Sequence, residues 1–273
     1  MYQMHKLNQD KLSESWGDIL KVVILCGGYG MRFREVTENI PKPLAAVGGR
    51  PILWQIMKLY SKYGFDDFIL PLGYKGDKIK EYFMNYDWMH NDFTLDFRDN
   101  AKKVLFLKKP EKWRITFVDT GADTMTGGRI KRIQPFIEDD NFLMTYGDGL
   151  CDVNIGEILK YHQKMETIAT LTGIPKKSQY GIVRTQDGLA TSFGEKSEIE
   201  GLINGGFFVF NKAIFDYLSD DKCVLEKEPL ARLATEGQLA VYEHRGFWQA
   251  VDTSKDLQEM NINWADIKNL LEI

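Results

Sequence analysis

The segment Leu25-Cys-Gly-Gly-Tyr-Gly-Met-Arg-Phe33 overlaps the end of a short apolar, β-branched run, Lys21-Val-Val-Ile-Leu-Cys26. A glycine-rich turn leaving a buried strand brings successive backbone N–H groups onto one anion, usually phosphate. Glycine is needed there for positive φ and close backbone approach. The spacing fits neither of the two common phosphate loops. Phe33 stands where a dinucleotide fingerprint has its third glycine, Arg50 where it has an acidic residue, and G-x-x-x-x-G-K-[ST] does not occur. Arg32 lies inside the turn, and Lys42 follows between Pro41 and Pro43. Arg offers a bidentate fork and Lys a point charge, so the pair suits a polyphosphate. The prolines restrict the backbone around Lys42 and aim its side chain. A tight turn without ligand explains the glycines alone, and Pro-Lys-Pro alone is a common surface turn; their combination is what carries information.

The acidic candidates come later. Tyr146-Gly-Asp-Gly149 closes the apolar run Phe142-Leu-Met-Thr-Tyr146. Ligands of open parallel sheets bind outside the carboxyl ends of strands, so Asp148 faces the same crevice as Arg32. A carboxylate among phosphates suits Mg²⁺. Asp252, in Phe247-Trp-Gln-Ala-Val-Asp-Thr253, is a candidate partner, although nothing in the linear sequence brings the two together. Glu195 and Lys196, in Phe193-Gly-Glu-Lys196, offer a carboxylate for hydroxyls and an ammonium for a phosphate. Asn204-Gly-Gly206 offers an amide with room for close approach. His5, His90, His162 and His244 show no ligand spacing and are expected to be structural or superficial. No G-x-S-x-G occurs, so covalent serine catalysis has no support.

These side chains need a scaffold. The Lys21–Cys26 run reads as a central strand. Pro51 to Tyr60 reads as a helix stopped by Gly64, Asp67 to Leu72 as a strand, and Asp77 to Tyr86 as a helix. Phe142 to Tyr146 and then Ile155 to Met165 repeat the strand–helix alternation, which argues for a mostly parallel sheet covered on both faces. Beyond residue 168 the texture changes: Ile168 to Thr172, Gly181 to Thr185 and Gly205 to Phe210 read as strands with little helix between them. They are expected to add mixed or antiparallel strands to the same sheet. No internal repeat or low-complexity linker interrupts the chain.

The 273 residues are 44% hydrophobic and 27% charged, which excludes a disordered or fibrous chain. The net charge of −4 gives no basic field for nucleic acid or anionic membrane, so neither is expected as a partner. Residues 1–20 mix charges among scattered apolars and lack the apolar stretch of a secretory signal. Cys26, Cys151 and Cys223 are far apart and never in C-x-x-C spacing. Buried, reduced thiols in a cytoplasmic protein are expected. The tryptophans, Trp54, Trp88, Trp113 and Trp248 among them, are expected in core and interface.

Together the motifs resemble those of the sugar-phosphate nucleotidylyltransferases, whose G-G-x-G-T-R-L loop and P-K-P turn are matched by Gly27–Phe33 and Pro41–Pro43. Gly49-Arg-Pro-Ile-Leu-Trp54, Gly73-Tyr-Lys-Gly76, Val118-Asp-Thr-Gly121, Met125-Thr-Gly-Gly-Arg129, Ile203-Asn-Gly-Gly-Phe-Phe208 and Gly246-Phe-Trp-Gln249 extend the likeness over roughly residues 21–255. It is greatest to the members that use CTP and glucose 1-phosphate. The resemblance implies a Rossmann-like three-layer α/β fold with a mostly parallel mixed sheet. It implies an extension over 1–20, one domain over 21–255 with a nucleotide half to about 150 and a sugar-phosphate half from 151, and a helical tail over 256–273.

The implied reaction is CTP plus glucose 1-phosphate giving CDP-glucose and pyrophosphate, an entry step to deoxysugars of surface polysaccharides. Arg32 and Lys42 would be catalytic, holding the triphosphate. Leu25, Gly27, Gly28, Gly30, Thr126, Gly127, Gly128 and Asp148 would complete the nucleotide site. Gly181, Glu195, Lys196 and Asn204 would bind the sugar phosphate, Asp148 and Asp252 would hold Mg²⁺, and a homo-oligomer is implied. The nucleophile is already anionic, so positioning and charge neutralisation suffice. The sequence departs from the family at Met31 in place of threonine, Ser197 in place of proline and Ala250-Val in place of Pro-Met. Alternatives are another nucleotide or acceptor phosphate, or a silent nucleotide-sensing relative. The retained Arg32, Lys42, Asp148 and Asp252 speak against the silent relative.

Overall fold

The computed structural model describes residues 20–29, 40–98, 101–105, 111–177, 182–186, 189–194 and 199–273. The strands are β1 (Val22–Leu25), β2 (Ala46–Val47), β3 (Arg50–Pro51), β4 (Asp67–Leu72), β5 (Asp92–Asp96), β6 (Ala101–Leu105), β7 (Arg114–Asp119), β8 (Asn141–Tyr146), β9 (Gly149–Cys151), β10 (Ala169–Lys177), β11 (Ile182–Gln186), β12 (Leu189–Gly194), β13 (Ile199–Asn211), β14 (Leu239–Glu243) and β15 (Trp248–Ala250). The helices are α1 (Ile52–Ser61), α2 (Gly76–Met84), α3 (Tyr86–His90), α4 (Thr126–Arg132), α5 (Ile155–Met165), α6 (Glu228–Thr235), α7 (Ser254–Ile262) and α8 (Trp264–Leu271).

Seven strands form the main sheet in the order β14-β10-β13-β8-β1-β4-β7. β13 alone runs against both of its neighbours; the other pairs are parallel. The expected mostly parallel, mixed sheet is therefore present. β1 is buried on both faces because its side chains alternate. Val22 and Ile24 enter a core with Ile52, Ile56 and Tyr60 of α1 and Ile158 of α5. Val23 and Leu25 enter a second core with Phe142, Phe208, Phe210 and Leu233 of α6. The strand order reverses direction at β1, with β4 on one side and β8 on the other, which opens a crevice at their carboxyl ends.

Two expectations change. The segment 182–186 joins no main-sheet strand: β11 pairs only with β12 as a separate hairpin. The reason is that β10 and β13 already pair from Ala169↔Phe210 to Lys177↔Ile199, which leaves the intervening segment no edge to join. The helix expected over 77–86 stops at Met84, and α3 starts afresh at Tyr86. α7 begins in a capping box of Thr253 and Asp256. It and α8 send Met260, Ile267 and Leu271 into the same core as α1. Cys26, Cys151 and Cys223 are buried free thiols. Among the described residues no helix is long and apolar enough to cross a membrane.

Candidate active site

The crevice at the ends of β1 and β8 is a cleft of about 560 Å³. A cleft of about 600 Å³ elsewhere, lined by Trp54, Tyr86, Trp113 and Phe117, lies apart from the charged cluster described next. Lys42 reaches the first cleft from a single 3₁₀ turn, Lys42–Leu44, with Pro41 as its N-cap and Pro43 within it. Its ammonium donates to Asp148 Oδ2 at 2.6 Å and to Asp252 Oδ1 at 2.8 Å.

A two-stranded ribbon brings those carboxylates together. Asp148 precedes β9 and Asp252 follows β15, and the strands pair antiparallel from Gly149↔Ala250 to Cys151↔Trp248. The Val251 N–H donates to the Asp148 carbonyl at 2.8 Å, closing the ribbon beside both carboxylates. Asp252 is fixed further by its backbone N–H, which donates to Asp256 Oδ2 at 3.0 Å. Burial by itself lowers the Lys42 pKa, but the charges and hydrogen bonds of Asp148 and Asp252 outweigh it and hold the ammonium above its usual value.

The cleft's back wall depends on Arg129, which lies in α4 and is 4% exposed. Its NH1 donates to the Leu72 carbonyl at 3.1 Å, to Thr120 Oγ1 at 2.7 Å and to the Gly121 carbonyl at 2.7 Å. Its NH2 donates to the carbonyls of Gly27 at 2.8 Å and Ala122 at 3.0 Å. One guanidinium therefore fastens the loops that follow β1, β4 and β7. This explains Gly27: a Cβ there would stand 2.2 Å from the Arg129 Cζ. Gly73 is confined in the same way, with a Cβ position 2.4 Å from NH1. Across the mouth, Tyr29 donates its phenol to Asp123 Oδ1 at 2.5 Å, and that bond is the main cause of its raised pKa.

A nucleotidyl transferase family profile matches residues 21–267. The chain belongs to the nucleotidyl transferase family. It is 54% identical over 246 residues to a protein of Bacillus subtilis (strain 168) named probable glucose-1-phosphate cytidylyltransferase, covering 90% of this chain and 96% of that one. A glucose-1-phosphate cytidylyltransferase of Salmonella typhi is 46% identical over 239 residues, 87% of this chain and 93% of its own length. The fold is shared with HddC from Yersinia pseudotuberculosis at a TM-score of 0.66 and 23% identity, covering 90% of this chain and all of that one. It is also shared with a UDP-glucose pyrophosphorylase solved with UDP-glucose, at a TM-score of 0.65 and 18% identity, with 91% and 99% coverage.

Of the site residues expected in this nucleotidyl transferase, Leu25, Gly27, Gly28, Lys42, Thr126, Asp148 and Asp252 line the one cleft. Gly127 and Gly128 face inward at the start of α4, where a Cβ would meet Cys223 Sγ at 2.5 Å and the Asp221 Cα at 2.7 Å. Asn204 stands at the rim, its amide donating to the Tyr146 phenol at 3.4 Å. Gly30, Arg32, Gly181, Glu195 and Lys196 lie outside the described residues.

Sequence reasoning missed Tyr29, Asp123, Arg129 and Tyr146 as cleft-lining residues. The motif Met125-Thr-Gly-Gly-Arg129 contained the signal for Arg129, because its glycines and its arginine serve one packing arrangement. His244 Nε2 lies 2.7 Å from Asp152 Oδ1, and Cys151 completes a group whose ligand atoms all fall within 4.8 Å of one another. The β-ribbon and β14 bring these residues together from distant parts of the chain. His162 is buried against Thr170 Oγ1 at 2.8 Å.

Asp148 and Asp252 present hard oxygen donors that already converge on one cation, Lys42, so the pair fits a magnesium ion chemically.

Proposed function

We propose that the chain transfers a cytidylyl group from CTP to glucose 1-phosphate, giving CDP-glucose and pyrophosphate. One observation carries the reaction type: an ammonium and two carboxylates from distant segments meet at the strand ends, in a cleft of about 560 Å³. The substrates are favoured by the 54% and 46% identical relatives, both named for this activity. Lys42 would hold the nucleotide phosphates and neutralise charge as pyrophosphate departs. The sugar phosphate attacks with an oxygen that is already anionic, so no protein base is required. Asp148 and Asp252 would hold Mg²⁺, which when bound supplies charge neutralisation to the phosphates.

Arg32 joins Lys42 in this reading, and Glu195, Lys196, Asn204 and Gly181 take the sugar phosphate. It also includes a cytoplasmic location and a homo-oligomer. Met84, Leu95 and Phe97 are 80%, 48% and 84% exposed, and a second copy would cover apolar side chains of this kind.

The test is pyrophosphate release with Mg²⁺, crossing five nucleoside triphosphates with several sugar 1-phosphates. Release confined to CTP with glucose 1-phosphate is expected. CTP-dependent release with another sugar phosphate would move the interest to the acceptor half. No release with any pair would refute the reading.

A further inference from the structure

Lys42, Asp148 and Asp252 mark the phosphate end of the cleft, which places the base at the other end, between Gly28-Tyr29 and Ala122–Thr126. Cytosine and uracil have nearly the same shape and differ at two neighbouring ring positions: N3, which is bare in cytosine and carries a proton in uracil, and C4. Cytosine carries an N4 amine there, a donor, where uracil carries O4, an acceptor. Selecting between them requires a fixed group that only accepts or only donates. A carboxylate accepts only. Among the described residues Asp123 supplies the one carboxylate lining the cleft away from the Lys42 cluster.

We propose that Asp123 selects cytosine over uracil, its carboxylate accepting a hydrogen bond from the exocyclic amine of the base. The proposal rests on the cytidylyl-transfer reading above. Uracil would set O4 against the same carboxylate with no proton between them, a repulsive contact that leaves both acceptors unpaired. Tyr29 is the positioning residue. Its phenol holds Asp123 Oδ1, and its ring lies 5.1 Å from that of Tyr74, which keeps the phenol in place. Among the described residues Tyr29 is the hydrogen-bond partner of Asp123, through Oδ1, which leaves Oδ2 for a ligand in the cleft that Asp123 lines. Selection requires that the bond from Tyr29 keep the carboxylate opposite the C4 substituent, away from the N3–H that uracil would offer. The neighbouring Arg129 spends its donors on backbone carbonyls and Thr120 and leaves this discrimination to Asp123. Asp123 is exposed, and a base seated against it would exclude water and strengthen the contact.

The measurement is kcat/KM for CTP and for UTP with glucose 1-phosphate, accompanied by dissociation constants for each nucleotide alone. Asp123→Asn is isosteric, and its amide can turn either its oxygen or its NH₂ to the base. It should lower the CTP-to-UTP ratio by roughly 10- to 100-fold, largely by raising UTP turnover. Asp123→Ala should lower CTP turnover without that gain. Tyr29→Phe should relax the ratio less, keep most CTP turnover, and leave the melting temperature unchanged.

A ratio within twofold of wild type in both Asp123 variants, with CTP turnover intact, would overturn the proposal while the cytidylyl-transfer reading stands. Equal losses for CTP and UTP in Asp123→Ala would overturn it too, and would assign Asp123 to the ribose. A wild-type protein that uses neither nucleotide would overturn the underlying reading instead.

Discussion

Gly27→Ala isolates the link between the anion-binding turn and the buried arginine behind it. Gly27 does not lie at positive φ, so alanine brings no backbone strain and the effect is steric. Its Cβ would lie 2.2 Å from the Arg129 Cζ, whereas ordinary contact starts at 3.4 Å, so the guanidinium must withdraw by about 1.2 Å (3.4 − 2.2). Gly73 blocks part of that retreat, since the guanidinium already fills the space a Cβ at that position would take. The bonds to the Gly27 and Ala122 carbonyls, now 2.8 and 3.0 Å, open beyond hydrogen-bonding range. Two lost charge-assisted bonds, each worth about 1.5 kcal/mol net, amount to about 3 kcal/mol. For a chain of this size that lowers the melting temperature by roughly 6 to 12 °C.

Unfolding is followed by urea and by heat without nucleotide, in wild type and in an Arg129→Met background. With the guanidinium gone, the alanine methyl enters free space and Gly27→Ala should be nearly neutral. An equal loss in both backgrounds would show that the clash is not with Arg129 and would remove the stapling role assigned to that residue.

Lys42→Met should reduce kcat on the order of 10²-fold or more while the fold persists, as for loss of a transition-state donor; unchanged turnover would exclude Lys42 from the chemistry. The raised Lys42 pKa stabilises the fold fully below the unfolded value of 10.5 and is lost only as pH rises through the folded value, so no Lys42-dependent step in stability should appear near neutrality. Burial pushes His162 down from 6.5 to about 4. The unfolded chain therefore binds a proton that the folded chain refuses between those values, and stability falls on acidification through that window, by up to about 3 kcal/mol. His162→Gln should flatten that slope in urea titrations, and an unchanged slope would place the acid sensitivity elsewhere. Gly206→Ala combines φ +89° with a Cβ 2.9 Å from the Tyr146 ring; it should destabilise the protein and raise KM for the sugar phosphate, and normal kinetics would show that Tyr146 has room to move.

The central strands were legible because β1 and β8 are short apolar runs closed by glycine turns, and α1 and α5 because their apolar residues recur at helical spacing. β5 and β6 were not: Asp92-Phe-Thr-Leu-Asp96 and Ala101-Lys-Lys-Val-Leu105 form a hairpin outside the main sheet, with too few apolar residues to announce themselves. The pairing of Asp148 with Asp252 was named as a possibility but could not be derived, because it depends on three backbone pairs between β9 and β15, segments with no pattern of their own. Arg129 was visible as a motif residue, yet nothing local says that an arginine will be buried. All its acceptors but Thr120 Oγ1 are backbone carbonyls, brought from three separate stretches of chain, and a carbonyl leaves no trace in side-chain chemistry.

The β9–β15 ribbon also dictates when the two carboxylates can meet. A ribosome delivers the chain from its amino end, so β1, β4, β7 and β8 can assemble, with Lys42 and Asp148 already in contact, while later residues are still being joined. Asp252 arrives only after β15 has been made and laid against β9. Until then Lys42 faces a single carboxylate. The two-carboxylate arrangement around Lys42 is therefore complete only when the last short strand docks.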